Sequence, residues 1–266
     1  MRFYDFPEVY DLFYSEAFES ECLTFYKSLF SKKKFQEIFD CAVGTGKMLL
    51  PMARLGYSCT GSDINPNMIR KAKTNFAKEN LIAQFVISDY KELSKNIKRD
   101  FDCVMCSGNS LAHSKNDELK NVILQMDKML RPGGTLYIDS RNWDNILKRK
   151  QRFYLFNPVI RDKGRVNYVQ VWDYNKNGSI TFNYLVFEEL ENKIVSKRQF
   201  YEIYYPFSYE LLRQVLEGMN YQNIKVCKLG DSGQTDLEKI EWYAVTAEKP
   251  IEGFVNENKE RKTKLF

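Results

Sequence analysis

The fold of this chain is decided by the stretch Phe39-Asp40-Cys41-Ala42-Val43-Gly44-Thr45-Gly46-Lys47, with Asp63 seventeen residues beyond Gly46. An apolar run precedes the glycines, and a helical pattern of apolar residues follows them. Glycines let a strand turn sharply into a helix and let backbone N–H groups approach a ligand closely. Asp63 ends a second apolar run, where a carboxylate can accept both hydroxyls of a ribose. The stretch therefore predicts a nucleoside site in an open α/β sheet.

The glycine loop differs from the dinucleotide fingerprint G-x-G-x-x-G, whose third glycine helps to seat a pyrophosphate on a helix N-terminus. It reads D-x-A-x-G-x-G, with Asp40 and Ala42 ahead of Gly44 and Gly46. An acidic group at the strand end repels phosphate and suits a ligand that carries an ammonium group, as S-adenosylmethionine does. A glycine pair alone would favour a simple helix cap, but together with Asp63 at this distance it favours the nucleoside site.

Length and composition predict one large domain, or one domain with an insertion, since the chain has 266 residues of which 44% are hydrophobic. No apolar run approaches the roughly 20 residues of a membrane span, and the N-terminus has no signal-peptide pattern. Six scattered cysteines favour a reduced, cytoplasmic protein. Cys103 and Cys106 lie in a strand pattern that points them to opposite faces, and with a single histidine we expect no metal site.

Basic residues are concentrated at the end of the chain and account for much of the net charge of +5. We expect residues 251–266 to form a solvated basic tail. Because the rest of the chain has no basic stripe with interleaved aromatics, the sequence predicts no nucleic-acid partner.

The pattern of apolar residues divides the chain into further parts. Residues 1–35 are helical and dense in aromatics, which is consistent with ordinary core packing or with a lid over a ligand. Residues 36–149 and 206–250 alternate strand and helix, which predicts a parallel sheet with helices on both faces. Residues 150–205 predict an inserted antiparallel ribbon, whose turn signals include Asn175 to Gly178.

The predicted elements have approximate bounds. Strands are expected near 36–41, 57–62, 82–88, 101–107 and 134–140, and helices near 45–55, 66–78, 91–97 and 116–130. The ribbon strands are expected at 166–174, 179–189 and 194–205. A helix near 208–218 and strands near 222–229 and 240–247 then close the sheet as an antiparallel edge.

Ligands of such sheets bind at the carboxyl ends of the strands, where several polar residues fall. Asp89 is placed to accept a hydrogen bond from an adenine amino group, and Tyr90 to pack on the ring. Asp89 with Glu92 also matches a helix capping box. Met68, one turn into its helix, is expected either to cover the other adenine face or to be core.

The order of these sites resembles the class I S-adenosylmethionine-dependent methyltransferases, and two segments narrow the resemblance. Residues 106–113 read C-S-G-N-S-L-A-H and are similar to C-L-G-N-S-F-A-H of the glycine N-methyltransferases. Residues 131–144 read R-P-G-G-T-L-Y-I-D-S-R-N-W-D and are similar to their R-P-G-G-L-L-V-I-D-H-R-N-Y-D. The resemblance runs from about residue 8 to residue 247 and is looser at both ends.

The resemblance implies a Rossmann-like fold and methyl transfer from S-adenosylmethionine to the amine of a small molecule, most concretely glycine or sarcosine. It implies that Asn109 and Arg141 hold the amino-acid substrate. A guanidinium fork can grip a carboxylate bidentately, and an amide oxygen can orient an amine. Taken alone, Arg141 would favour a salt bridge with Asp139 or Asp144, and it is the surrounding Arg-Asn-Trp-Asp motif that favours ligand binding.

The resemblance also assigns the remaining site residues. Tyr154 and Tyr204 are expected to line the substrate pocket from the ribbon. The expected cofactor contacts are Tyr10, Tyr14, Asp40, Ala42, Gly44, Gly46, Asp63, Ile64, Met68, Asp89, Tyr90, Ser107 and His113. His113 is expected near the methionine end of the cofactor.

The chain departs from the family in its N-terminal segment. Residues 15–21 lack the arginine that meets the cofactor carboxylate in the family, and Phe13 stands where a tyrosine is expected, beside Tyr14. The acceptor therefore stays open. One alternative is another acceptor, such as an amino sugar or a hydroxyl. An alternative of a different class is a non-catalytic cofactor-binding interaction protein. The oligomeric state cannot be predicted from the sequence.

Overall fold

The computed structural model describes residues 1–233 and 235–251, so the predicted basic tail lies outside the described residues beyond Ile251. Its strands, in chain order, are β1 (Glu37–Asp40), β2 (Ser58–Asp63), β3 (Ala83–Ile87), β4 (Phe101–Cys106), β5 (Leu130–Arg141), β6 (Phe153–Leu155), β7 (Val159–Arg161), β8 (Gly164–Tyr174), β9 (Ile180–Leu190), β10 (Lys193–Tyr204), β11 (Gln222–Lys228) and β12 (Trp242–Glu248). Its helices are α1 (Pro7–Asp11), α2 (Glu16–Leu29), α3 (Leu50–Arg54), α4 (Pro66–Lys78), α5 (Leu93–Asn96), α6 (Leu119–Lys128), α7 (Trp143–Arg149) and α8 (Tyr209–Gly218).

The central sheet has seven strands in the order β11-β12-β5-β4-β1-β2-β3. β1 to β5 are parallel, as the strand–helix alternation predicts, so their carboxyl ends meet along one edge. The last two strands, β11 and β12, differ in one respect from the antiparallel edge that was predicted for them. β12 is antiparallel to both β5 and β11, which makes the outermost strand β11 parallel to the core strands. This is a Rossmann-like α/β fold.

The central strands are buried on both faces, as expected for a parallel sheet between two helical layers. One face packs with α2, α3 and α4, and the other with α5, α6 and α8. Cys103 and Cys106 belong to opposite faces, which confirms the alternation predicted for this C-x-x-C pair. All six cysteines are buried and free. No group of His, Cys, Asp or Glu within the described ranges could hold a metal ion.

The segment between α7 and α8 forms a second, antiparallel sheet in the order β10-β9-β8-β6, with β7 also paired to β8. The three predicted ribbon strands are present as β8, β9 and β10. β6 and β7 were not predicted because three residues carry no readable alternation. Every second residue of β8 and β9 points inward, including Tyr168, Trp172, Phe182 and Tyr184, so an aromatic face closes over the carboxyl edge of the central sheet.

The helix predicted near 116–130 is shorter, Leu119–Lys128, and two other helices differ more from their predicted bounds. The predicted helix 45–55 starts only at Leu50, because the chain turns through Gly44 (φ +54°) and Gly46 (φ +81°) before the helix can begin. The predicted helix 91–97 is a short 3-10 turn, Tyr90–Glu92, followed by the four residues of α5. Neither difference moves the carboxyl ends of the strands.

The aromatics of residues 1–35 divide between two surroundings. Phe25 and Tyr26, on α2, are buried against the central sheet, where the Tyr26 ring lies 5.7 Å from that of Tyr137. By contrast, Phe3 stacks on Tyr184 at 4.2 Å and Phe13 lies 4.5 Å from Tyr168, and both of these tyrosines belong to the second sheet.

The part of the chain that the structure describes has no helix long and apolar enough to cross a membrane.

Candidate functional site

Two cavities adjoin at the carboxyl edge of the central sheet. The smaller has a volume of about 460 Å³ and the larger about 910 Å³. Both are lined by Tyr4, Tyr10 and Gly108, so these residues form the boundary between them. The predicted cofactor residues fall mainly in the smaller cavity and all four predicted substrate residues in the larger. The smaller cavity is lined by Tyr10, Ala42, Gly44, Asp63, Ile64, Met68, Asp89, Tyr90 and His113, and the larger by Asn109, Arg141, Tyr154 and Tyr204.

Asp63 ends β2 and presents its carboxylate at the wall of the smaller cavity. One carboxylate oxygen accepts the Gly44 N–H at 2.9 Å, and the other accepts the Asn65 N–H at 2.8 Å. Burial raises the pKa of Asp63, and the two backbone N–H groups oppose that rise. The two backbone N–H groups fix the carboxylate in place. Because each carboxylate oxygen has more than one lone pair, it can still accept hydrogen bonds from the hydroxyl groups of a ligand.

The rest of the smaller cavity combines apolar walls with a second carboxylate. The Asp89 side chain accepts the Lys91 N–H at 2.8 Å, so Asp89 caps the short 3-10 turn. The predicted capping box is incomplete, because the Glu92 side chain pairs with Lys95 instead. Met68 and Tyr90 supply apolar surface. A cavity with these properties suits a nucleoside, which has an apolar base and polar edges.

Three predicted cofactor residues, Asp40, Gly46 and Ser107, line neither cavity. Asp40 is fully buried and accepts hydrogen bonds from the Ala42 N–H and the Ser107 hydroxyl, and burial raises its pKa to about 6. A Cβ on Gly46 would lie 3.0 Å from the Phe76 ring. The structure therefore places Asp40 and Ser107 behind the cavity walls, where their hydrogen bonds hold the start of the glycine loop, and packs Gly46 against Phe76.

Arg141 lies at the carboxyl end of β5 and is only 8% exposed. Its guanidinium carbon lies 4.8 Å from the ring centre of Trp242, 5.3 Å from Tyr154, 5.4 Å from Trp172 and 5.5 Å from Phe182. Within residues 1–233 and 235–251, it forms no ion pair and its side chain donates no hydrogen bond. A buried charge without a partner is costly, so the group is set to receive an anion from the larger cavity.

The two carboxylates expected as alternative partners of Arg141 are engaged elsewhere. Asp139 accepts the N–H groups of Gly108 at 2.9 Å and Asn109 at 3.2 Å, and burial raises its pKa to about 7. Asp144 accepts the Tyr209 N–H at 3.1 Å. The salt-bridge interpretation of Arg141 is therefore wrong for this structure.

Asn109 faces the larger cavity with the opposite end of its amide from the one predicted. Its Oδ1 accepts the backbone N–H of Arg141 at 3.1 Å and the Ser140 hydroxyl at 3.0 Å. Because a backbone N–H can only donate, the orientation of the amide is fixed and Nδ2 is the group left for a ligand. The prediction that the amide oxygen orients an amine is corrected: Asn109 offers a donor, which suits a carboxylate beside Arg141.

Tyr10 lies at the boundary between the cavities, and its hydroxyl group is 2.6 Å from that of Tyr14, a predicted cofactor residue that lines only the larger cavity. A Cβ on Gly44 or on Gly108 would lie 3.8 Å from the Tyr10 side chain. Both glycines have positive φ angles, +54° and +71°, which L side chains rarely adopt. The Tyr10 side chain therefore lies against both loops, at one glycine in each where no Cβ faces it.

Sequence reasoning missed two tyrosines that line the larger cavity, Tyr4 and Tyr184, and one that lines the smaller cavity, Tyr205. Tyr184 could have been found from the alternation of β9, which puts it on the same face as Phe182. Nothing local distinguishes Tyr4 from the other N-terminal aromatics. His113 lies at the wall of the smaller cavity between the rings of Tyr4 and Tyr204, and burial lowers its pKa to about 4.

Comparisons with known proteins agree with this geometry. The sequence pattern of a methyltransferase domain family matches residues 38–134. The chain is 26% identical over 244 residues to a glycine/sarcosine/dimethylglycine N-methyltransferase of Actinopolyspora halophila, covering 89% of this chain and 40% of that protein. It is also 26% identical over 231 residues to a glycine/sarcosine N-methyltransferase of Parasynechococcus marenigrum, covering 85% and 76% respectively. The chain thus spans less than half of the first relative's length.

Solved structures share the fold at lower sequence identity. A S-adenosylmethionine-dependent methyltransferase from Clostridium acetobutylicum superposes with a TM-score of 0.75 at 17% identity, covering 92% of this chain and 98% of that one. An amino pentose methyltransferase from Micromonospora echinaspora, solved with S-adenosylmethionine bound, gives a TM-score of 0.70 at 14% identity, with the same coverage. At these identities the structures establish the fold alone.

Proposed function

We propose an acceptor for this chain, which belongs by its fold and its methyltransferase domain to the class I S-adenosylmethionine-dependent methyltransferases. The acceptor is the amine of a small molecule that also carries a carboxylate, most concretely glycine or sarcosine. The glycine/sarcosine N-methyltransferases that the sequence resembles support this acceptor class. The observation that carries the proposal is the guanidinium of Arg141, which is buried at the wall of the larger cavity and has no ion-pair partner among the described residues.

The residues of the smaller cavity fit the adenosine part of S-adenosylmethionine. Asp63 would hold the ribose hydroxyls, Asp89 the adenine amino group, and Met68 and Tyr90 the faces of the base. When bound, the cofactor supplies a methyl group on a sulfonium that is already activated. The chain's own contribution is to align the acceptor and to exclude water, and such alignment can supply roughly 7–11 kcal/mol of the barrier.

The larger cavity provides the contacts for an acceptor. The Arg141 guanidinium and the Asn109 Nδ2 are both donors on residues that line this cavity, and we expect them to bind the carboxylate of the acceptor. Tyr154 and Tyr204 line the same cavity from the second sheet, and their rings keep water away from the acceptor. A carboxylate held at one end leaves the amine of a short amino acid only a limited range of positions.

The volume of the larger cavity favours one alternative acceptor. A space of about 910 Å³ lies near the top of the range for drug-sized ligands, whereas glycine has very few heavy atoms. An amino sugar is a larger acceptor, and the structural neighbour described as an amino pentose methyltransferase shares this fold. A sugar lacks a carboxylate, so its methylation should not depend on Arg141.

A turnover screen with labelled S-adenosylmethionine tests the proposal. Glycine and sarcosine are compared with ethylamine, which lacks a carboxylate, and with an amino pentose. We expect label transfer to glycine or sarcosine and little transfer to ethylamine. Transfer to the amino pentose alone would replace the proposed acceptor with the alternative. Cofactor binding without transfer to any acceptor would support a non-catalytic protein.

We further propose that the N-terminal residues 3–14 act as a lid, because Tyr4, Tyr10 and Tyr14 lie over the cavities. Hydrogen exchange of these residues should slow when S-adenosylmethionine is added, since the ligand adds contacts to both tyrosine-lined walls. Exchange in α8, which lines neither cavity, is the internal control. Slow exchange without the cofactor, unchanged by adding it, would show that the segment is ordinary core.

A further inference from the structure

Four side chains at the two cavities form one continuous chain of hydrogen bonds. The hydroxyl oxygens of Tyr184 and Tyr204 are 2.9 Å apart, and those of Tyr204 and Tyr4 are 2.8 Å apart. The Tyr4 hydroxyl lies 3.1 Å from Nε2 of His113, whose Nδ1 lies 3.2 Å from the carbonyl oxygen of Ile203. This hydrogen-bond chain therefore runs from the larger cavity to a backbone carbonyl on β10.

The carbonyl at one end sets the direction of every hydrogen bond in the chain. Ile203 can only accept, so Nδ1 of His113 carries the proton. Burial keeps the pKa of His113 low, at about 4, so the ring is neutral and Nε2 is an acceptor. Tyr4 must then donate to His113. Because each hydroxyl has a single proton, Tyr204 must donate to Tyr4, and Tyr184 to Tyr204.

The direction of the chain determines what Tyr184 offers to a ligand. With its proton committed to Tyr204, the Tyr184 hydroxyl presents only lone pairs to the larger cavity. Its ring is held in place by Phe3, which stacks on it at 4.2 Å and 6°. Arg141 and Asn109 line the same cavity as donors, so its walls offer donors for a carboxylate and an acceptor for an amine.

We propose that His113 is a positioning residue that orients the hydroxyl groups of Tyr4, Tyr204 and Tyr184, so that Tyr184 accepts a hydrogen bond from the amine of the substrate. The identification of the ligand group as an amine rests on the proposed function, whereas the direction of the hydrogen-bond chain does not. A nitrogen that donates one N–H to Tyr184 has restricted rotation, which helps to fix the direction of its lone pair. His113 acts through the two intervening tyrosines and is not a catalytic residue.

The direction of the chain can be measured on the intact protein. Because His113 is the only histidine of the sequence, ¹⁵N-histidine labelling gives an NMR spectrum of this ring alone. We expect the Nδ1–H tautomer at neutral pH, with Nε2 unprotonated and shifted by its hydrogen bond. Tyr4→Phe should shift Nε2. Tyr168→Phe removes a buried hydroxyl that has no partner in the structure and should leave the spectrum unchanged. An Nε2–H tautomer would overturn the proposal.

The consequence for ligand selection is tested by binding glycine and acetate to the protein in complex with S-adenosylhomocysteine. Acetate keeps the carboxylate and lacks the amine. Tyr4→Phe and His113→Phe should weaken glycine binding about tenfold, near the upper end of the range for one ordinary hydrogen bond, and change acetate binding much less. His113→Gln, whose amide offers both an acceptor and a donor, should retain more of the preference for glycine.

The outcomes separate this proposal from the proposed function. If Tyr4→Phe and His113→Phe lose the same affinity for glycine as for acetate, Tyr4 and His113 have a merely structural role, and the proposal is overturned. If neither ligand binds the unmodified protein, the proposed acceptor is wrong, and the histidine tautomer still decides the direction of the chain. Tyr168→Phe is the control for binding, since this residue lines neither cavity.

Discussion

Arg141→Lys is expected to lower kcat/KM for a carboxylate-bearing amine by about 100-fold or more, with little change in affinity for S-adenosylmethionine. The guanidinium lies among four aromatic rings, where its planar fork can stack and still give two parallel hydrogen bonds to a carboxylate. Lysine keeps the charge, but it is a point donor and loses both the stacking and the fork. Steady-state kinetics with glycine or sarcosine and cofactor calorimetry on the same preparation measure the two quantities.

Two controls give the Arg141 result its meaning. Arg213→Lys makes the same exchange on the exposed surface of α8, where Arg213 pairs with Glu210 and Glu217, and it should leave turnover unchanged. Thermal unfolding of Arg141→Lys checks that the buried site still folds. If the folded variant retains full kcat/KM for the carboxylate-bearing amine, Arg141 does not bind the acceptor, and the proposed acceptor class loses its main support.

Asp63→Ala is expected to weaken S-adenosylmethionine binding by about 1–3 kcal/mol, roughly 5- to 150-fold, the effect of losing charge-assisted hydrogen bonds. The variant removes the proposed ribose ligand and also leaves the N–H groups of Gly44 and Asn65 without their acceptor. Asp63→Asn should also bind S-adenosylmethionine weakly, because one carboxylate oxygen becomes an NH₂ group that faces a backbone N–H. Calorimetry on folded variants measures the affinities.

The matched control for Asp63 is Asp117→Ala, since Asp117 is exposed and lines neither cavity. Its affinity for S-adenosylmethionine should equal that of the unmodified protein. Equal affinity in Asp63→Ala would instead show that Asp63 does not bind the ribose. A loss of affinity in Asp63→Ala together with melting well below the unmodified protein would assign part of the effect to the glycine loop that Asp63 holds.

The sequence by itself determined the alternation of strands and helices in the central sheet and the position of Asp63 at the end of β2. These features depend on neighbours along the chain, because periodicity, helix caps and turn residues act over a few positions. The three long strands of the second sheet were predictable for the same reason. The short strands β6 and β7, and the delayed start of α3 behind Gly46, were not, since tertiary pairing and loop geometry set them.

Only the tertiary structure decided what the site residues present to a ligand. In the part of the chain that the structure describes, Arg141 has no ion-pair partner and is surrounded by four aromatic rings from β6, β8, β9 and β12, which are far apart along the chain. The Asn109 amide is turned by a backbone N–H 32 positions away, and Tyr4 meets His113 across 109 positions. Residue types and local spacing carry no information on which hydrogen-bonding groups are already satisfied. That depends on contacts that exist only once the two sheets and the N-terminal segment have packed together.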